Sequence, residues 1–424
     1  MLLTKRFQLA RLREQLWFRP LVACLVSIGA ALVARLADDV QAPSHLPDIS
    51  TESIKALLTT LSSSMLAISV FAVGSMISAY ASASSSATPR SFSLVVGDDV
   101  SQNALSTFIG AFIFSIVALV ALLNDFYGQT GRLVLFAFTV FVFVLVILGF
   151  VRWVDRIARL GRLGNTVEKV EAATEAALRL QVQLPRLGAP MPDAPEQGEA
   201  VTCEQVGYVQ NVDFEEIQSI AESIDAQIII RSMPGTLTTP NEPLALIRAA
   251  HLEDRDSVNE KIIHAFTIGK QRTFVSDPRF GLVVLSQIAS RALSPGVNDP
   301  GTAIDIITSV TRLLIDWQRA ADDKEDMEVE FDRVVIPDVS ADELLDDAFS
   351  QLACDGAGTI TVAIRHQKAL NTLATLGDRS MKAAAKRHAN LALEHALCSL
   401  KLESERQAIQ SLVEKHFGTD SLTA

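Results

Sequence analysis

Two sets of side chains in this sequence have types and spacing that could do chemistry. The first is a polar knot: Asp277, Arg279, Arg291, Asn298 and Asp299 fall within 23 residues, around the segment SPGVNDP at 294–300. Carboxylates and guanidiniums at the two ends of one helix could hold a small anion or cation. The same residue types also cap helices and satisfy turns, with Asp277 opening one helix, Asp299 the next, and Asn298 the turn between. The second set is a stripe. At 100° per residue Ser64, Phe71, Ser75, Ser78 and Ser82 share about 60° of one helical face. Hydroxyls in line with one aromatic could face water in a pore built from several chains, with Phe71 as its constriction. Small residues equally let helices pack closely and share hydroxyl bonds.

Other chemistry has little support. There is no GxxxxGK followed by Ser or Thr, and no GxGxxG after a strand; the DGAGT run at 355–359 reads as an ordinary loop. HExxH and CxxC are absent. His388 and His395 lie two helical turns apart with Cys398 nearby, but His388 shares a helix with Lys382, Lys386 and Arg387 and reads as solvated, so no metal is expected. No GxSxG elbow occurs. The expectation is a protein that is not an enzyme and carries no cofactor.

The elements that must position these residues divide the chain in two. Its 424 residues are 49% hydrophobic and 20% charged, too apolar for disorder, and four cysteines staple nothing. Residues 1–160 hold 12 Lys and Arg against 9 Asp and Glu; residues 161–424 hold 25 against 40, so the net charge of −12 divides into +3 and −15. A phosphate backbone would be repelled by the second part, and no nucleic-acid partner is expected.

The first part is a membrane domain. About 20 mostly apolar residues cross a hydrocarbon core, and four stretches suffice: 20–37, 56–82, 104–123 and 133–154. Charge is missing from 56–89, 104–124 and 133–151. The first span reads as an uncleaved anchor, because its basic leader is long and no small-x-small site precedes Asp38 and Asp39. Lys5, Arg6, Arg11, Arg13 and Arg19 precede it, whereas the following loop carries Asp38, Asp39, Asp48 and Glu52; Arg152, Arg156, Arg159 and Arg162 mark the exit of span four. Both termini are therefore expected in the cytoplasm. No ionisable residue lies at membrane depth, which disfavours an ion-coupled carrier.

Residues 161–200 read as a helical extension of span four to about Gln183, broken if Gly161 and Gly164 act as breakers, then a Pro- and Gly-rich linker. Residues 201–250 read as a small α/β unit: a strand at 207–212, a helix from Phe214 capped by Asp213, a strand at 227–231, and a hairpin closing near Ile247. Residues 251–424 read as mainly helical, with one helix from Arg255 ending near Gly269, others at about 278–292 and 302–320, and three or four more from 340 to 417. The stretch EVEFDRVVIP alternates like a strand. The fold class is thus a four-span α-helical membrane domain with a cytoplasmic α+β domain, mostly helical with a small β unit.

The segment RTFVSDPRFGLVVLSQIASRALSPGVNDPGTA at 272–303 resembles a pattern (DP-x-FGL, then IA-x-RALSPG, Ile or Val, and NDP-x-TA) of a bacterial family of predicted membrane proteins. That family carries only the label domain of unknown function 2254. The resemblance extends to SASSSATPRSFSLVVGDDVSQNALSTFIGAF at the end of span two, to GYVQNVD and to the PG…PLA turn. Just before Pro89-Arg90, where the family often has Ser-Gln-Phe, this chain has Ser85-Ser86-Ala87. The resemblance implies a bacterial inner-membrane protein of this architecture and orientation, and no activity. Two functions are expected in order: an oligomeric passive ion channel with a neutral, serine-lined pore, its partners being lipid, copies of itself and a small ion; or a non-conducting anchored scaffold or sensor whose acidic domain binds a ligand or protein.

Overall fold

A computed structural model describes residues 17–39, 49–96, 98–183, 198–250, 254–322, 331–337 and 339–418. The basic leader residues Lys5 to Arg13, Asp48, linker residues 184–197, most of the acidic run at 321–330 and the end from Thr419 lie outside these. The chain forms two compact units that meet in sequence at 166–167.

The first unit is a bundle of four helices long and apolar enough to cross a membrane: α1 (Phe18–Leu36), α2 (Thr51–Ser86), α4 (Asp99–Leu123) and α5 (Gln129–Leu160), with a short α3 (Phe92–Val96) after the Pro89–Ser91 turn. Each of the four differs from its expected limits. The longest is α2, whose 36 residues span about 54 Å at 1.5 Å per residue, well beyond a hydrocarbon core of ~30 Å. Helix α4 is central, packing on α1, α2 and α5, and buries Phe108 and Phe114. Side chains tie both ends. Arg19 bonds Asn103 Oδ1 at 2.7 Å and pairs with Asp99, and Arg156 bonds the buried Asp98, the N-cap of α4. At the other end Asp38 accepts from the backbone N–H of Gly128 (2.7 Å) and Gly131 (2.6 Å), closing the first turn of α5.

Helix α5 stops at Leu160, and α6 (Leu163–Gln183) starts anew after Gly161. The extension of span four is thus a separate helix, because glycine is the poorest helix former after proline.

The second unit has two small sheets. One orders β1 (Glu199–Val201), β5 (Ala245–Arg248), β3 (Gln227–Ile230) and β7 (Val334–Val335), antiparallel except that β7 runs parallel to β3 with Ile228 opposite Val334. The other orders β4 (Leu237–Thr238), β2 (Gly207–Val212) and β6 (Phe266–Gly269), with Tyr208 opposite Leu237 and Val212 opposite Phe266. Helix α7 (Phe214–Ser223), capped by Asp213, joins their core, burying Ile217 beside Val212, Ile228 and Val334. Two expectations need correction. The helix from Arg255 (α8) ends at His264, because residues 266–269 pair with β2. The β unit is also not confined to 201–250, because β6 and β7 join it from later sequence. The remainder is helical: α9 (Pro278–Ala292), α10 (Pro300–Asp322), α11 (Ala341–Asp355), α12 (Ile360–Leu376), α13 (Arg379–Ser399) and α14 (Glu403–Phe417). Helix α9 lies on α10 and α11, and its Gly281 meets α6, since a Cβ there would fall 2.0 Å from Thr174 Oγ1.

Candidate functional site

In the second unit, five chain segments enclose a cavity of about 490 Å³. Asn211, Val212 and Phe214 line it from the β2–α7 junction, and Arg231 with residues 233–236 from the turn after β3. Arg272, Ser276, Pro278 and Arg279 come from the approach to α9, Leu180 and Gln181 from the end of α6, and Pro337, Val339 and Glu343 from the start of α11. The volume falls in the usual range for small-molecule sites, roughly 300–1,000 Å³, and the wall is mostly apolar with a few convergent polar groups.

The polar groups are held rigidly. Asp277, 2% exposed, accepts from the Phe280 N–H at 3.0 Å as N-cap of α9. It also takes a two-point bond from Arg272, Nε at 2.7 Å and Nη2 at 2.9 Å. The guanidinium lies 5.3 Å from the Phe280 ring centroid, so it is fixed both in its plane and across its face. Gly235 makes this possible. Its φ is +98°, and a Cβ there would stand 2.4 Å from Asp277 Oδ2. Arg279 reaches Asp347 through Nε (2.5 Å) and Glu343 through Nη1 (2.9 Å). Burial pushes the Asp347 carboxyl up, against the pull of Arg279. Burial alone would lower the Arg279 guanidinium, but its two carboxylates more than offset this. Asn211 is 4% exposed and takes a 3.4 Å contact from Ser276 Oγ on its Oδ1. Among the described residues its amide nitrogen makes no hydrogen bond. Gln181 Oε1 is likewise buried without a partner among them.

Of the expected polar knot, only Asp277 and Arg279 belong here. Arg291, Asn298 and Asp299 lie at the far end of α9, 15 residues or about 22 Å away, so the five do not form one site. Arg291 and Asn298 are exposed. Asn298 adopts φ +49° with its N–H on Ser294 O, and Asp299 caps α10 through Thr302. Bonds from the Thr302 hydroxyl and N–H lower the Asp299 pKa. The sequence reading missed Arg231, Arg272, Asn211 and Glu343. None of the four left a periodic signal, although Arg272 stands only five residues before Asp277.

The serine stripe lies on an open face of the bundle. Phe71, Ser75, Ser78 and Ser82 line a shallow groove of about 590 Å³ with Ile157, Ala158, Gly161 and Arg162, and Ser64 is half-buried outside it. Phe71 is 66% exposed, its ring 6.0 Å from Trp153. The three serines thus stand level with the arginine-rich exit of α5, beyond its uncharged stretch. His388, expected in solvent, is 3% exposed, because it shares the buried face of α13 with Met381, Ala384 and Ala385, while Lys382, Lys386 and Arg387 point outward. It faces Asp346 at 3.4 Å. Among the described residues no three His, Cys, Asp or Glu gather as a metal would need.

The family model described as "Predicted membrane protein (DUF2254)" matches residues 13–372. Uncharacterized proteins of Mycobacterium bovis and Mycobacterium tuberculosis are each 29% identical to the chain over 119 residues. The match covers 27% of this chain and 23% of theirs, so it spans about a quarter of the length of either relative. No solved structure matches the chain.

Proposed function

Because the chain belongs to the family of predicted membrane proteins labelled domain of unknown function 2254, its action must be read from its own geometry, and we propose a membrane-anchored receptor for a small molecule. The observation that carries this reading is the cavity of about 490 Å³ faced by the anchored Arg272 and the buried Asn211. Leu180 and Gln181 on its wall belong to α6, which follows the fourth long helix after a two-residue break, so an occupant would touch the segment leading from the bundle. The binding unit faces the cytoplasm of a bacterial inner membrane, in keeping with Arg19, Arg152, Arg156, Arg159 and Arg162 at one end of the bundle. Binding rather than catalysis is assigned, since among the described residues the lining includes no His or Cys and the Ser276 hydroxyl faces the Asn211 amide rather than a base.

Cysteine labelling tests this. Ser276→Cys is placed in a chain whose Cys24, Cys203, Cys354 and Cys398 are changed to serine. A low-molecular-weight extract of the producing cells should slow its reaction with N-ethylmaleimide and leave a Leu376→Cys control, on an exposed helix end, unaffected. Equal rates with and without extract would contradict the reading.

A second reading, the oligomeric ion channel, draws on the outward face of Phe71, Ser75, Ser78 and Ser82. A pore walled there would be joined from several copies. In liposomes with potassium or chloride gradients, it predicts flux that Phe71→Trp reduces and Phe71→Ala raises. Absence of flux from folded, inserted protein would remove it.

A further inference from the structure

The receptor reading leaves open what the cavity accepts; resting on that reading, we infer that its ligand is a small organic oxyanion, a carboxylate or phosphate ester carrying an apolar body. Arg272 spends Nε and Nη2 on Asp277. The planar fork then leaves Nη1 directed away from that carboxylate, with its position fixed by the Phe280 ring beneath. Arg279 spends Nε and Nη1 on Asp347 and Glu343, leaving Nη2. Arg231 adds a third guanidinium to the lining, and Asn211 adds a neutral amide held at 4% exposure. Two of the three carboxylates that hold Arg272 and Arg279 are withdrawn: Asp277 is 2% exposed and neither it nor Asp347 lines the cavity, so N–H donors outnumber acidic groups on the described lining. Val212, Phe214, Met233 and Pro337 complete the wall with apolar surface. Among the described residues Glu343 is the one acidic group on the lining, and it competes with an incoming anion for Arg279.

The test is titration calorimetry on the full chain in detergent with phenyl phosphate and, as the uncharged counterpart, benzyl alcohol. Phenyl phosphate should bind at least about tenfold tighter, as expected for one desolvated charge-assisted pair. Arg272→Lys should remove most of that advantage, because lysine cannot keep both the Asp277 bond and the inward N–H. Glu343→Gln should strengthen phenyl phosphate binding severalfold without altering that of benzyl alcohol, an effect no merely structural role would give. Binding of benzyl alcohol as tight as that of phenyl phosphate would overturn the oxyanion assignment. So would failure of both probes while the cell extract still protects Ser276→Cys; in either case the receptor reading stands. If neither probe binds and the extract gives no protection, both fall.

Discussion

Replacing Asp277 by alanine removes the N-cap of α9 and the anchor of Arg272 together, leaving a four-fifths-buried guanidinium without its partner. A loss of about 3 kcal/mol is expected, read as a lowered unfolding midpoint in detergent, and Asp277→Asn should lose less because an amide oxygen still caps. Gly235→Ala should disturb the same spot from outside, since it demands a positive φ and puts a methyl against the carboxylate. Buried His366 offers a pH test. It stacks on Phe349 with centroids 4.8 Å apart, and burial, then the nearby His388, lowers its pKa from 6.5 to about 3. Between those values the unfolded chain binds a proton that the folded chain does not. Stability therefore falls as pH drops below 6.5, by up to about 1.4 kcal/mol per pH unit. His366→Leu should flatten that slope in acid unfolding; an unchanged slope would contradict the assignment. The role of Asp277 as a cap was legible because capping is set by a residue and the N–H three positions on. Its partnership with Arg272 was not, since the loop bringing them together has no periodic signature, and Asp347 lies 68 positions from Arg279.

Helices α6 and α9 touch where Gly281 admits Thr174. Gly281→Ala should cost about 1–3 kcal/mol by overpacking, and Thr174→Gly should recover part of it, so a double-mutant cycle yields coupling rather than additivity. Elements set by local pattern were readable: the helices opened by Asp213, Asp277 and Asp299, the strand at 207–212, and all four long apolar helices. Elements set by distant partners were not. Residues 266–269 look like a helix continuing from Arg255 until β2 offers an edge, and although the alternation of EVEFDRVVIP marked a strand at β7, its parallel pairing with β3 had no local signal. His388 was misplaced for a related reason. The charges around it mark the outer face of α13, and only the packing of that helix decides which face is inner.

For the whole molecule, the bundle presents apolar surface around α4, interrupted on α2 by the polar Phe71–Ser82 face. If copies associate, that face is where close approach costs least, because Gly74, Ser75, Ser78 and Ala79 are small. Ser78→Cys, with native cysteines removed, should cross-link between copies in membranes, and Leu145→Cys, exposed on α5, should not. Equal cross-linking at the two positions would contradict a specific interface. The level of Ser75, Ser78 and Ser82 beside Ile157 and Arg162 also favours the receptor over the channel, because it sets these hydroxyls past the uncharged stretch of α5. The most direct test of the receptor is hydrogen–deuterium exchange of the full chain with and without the small-molecule extract. Slower exchange is predicted in the segments 209–214, 231–236 and 272–280, which wall the cavity, with little change in 379–399. Unchanged exchange in those three segments, with the protein folded in both samples, would contradict the account.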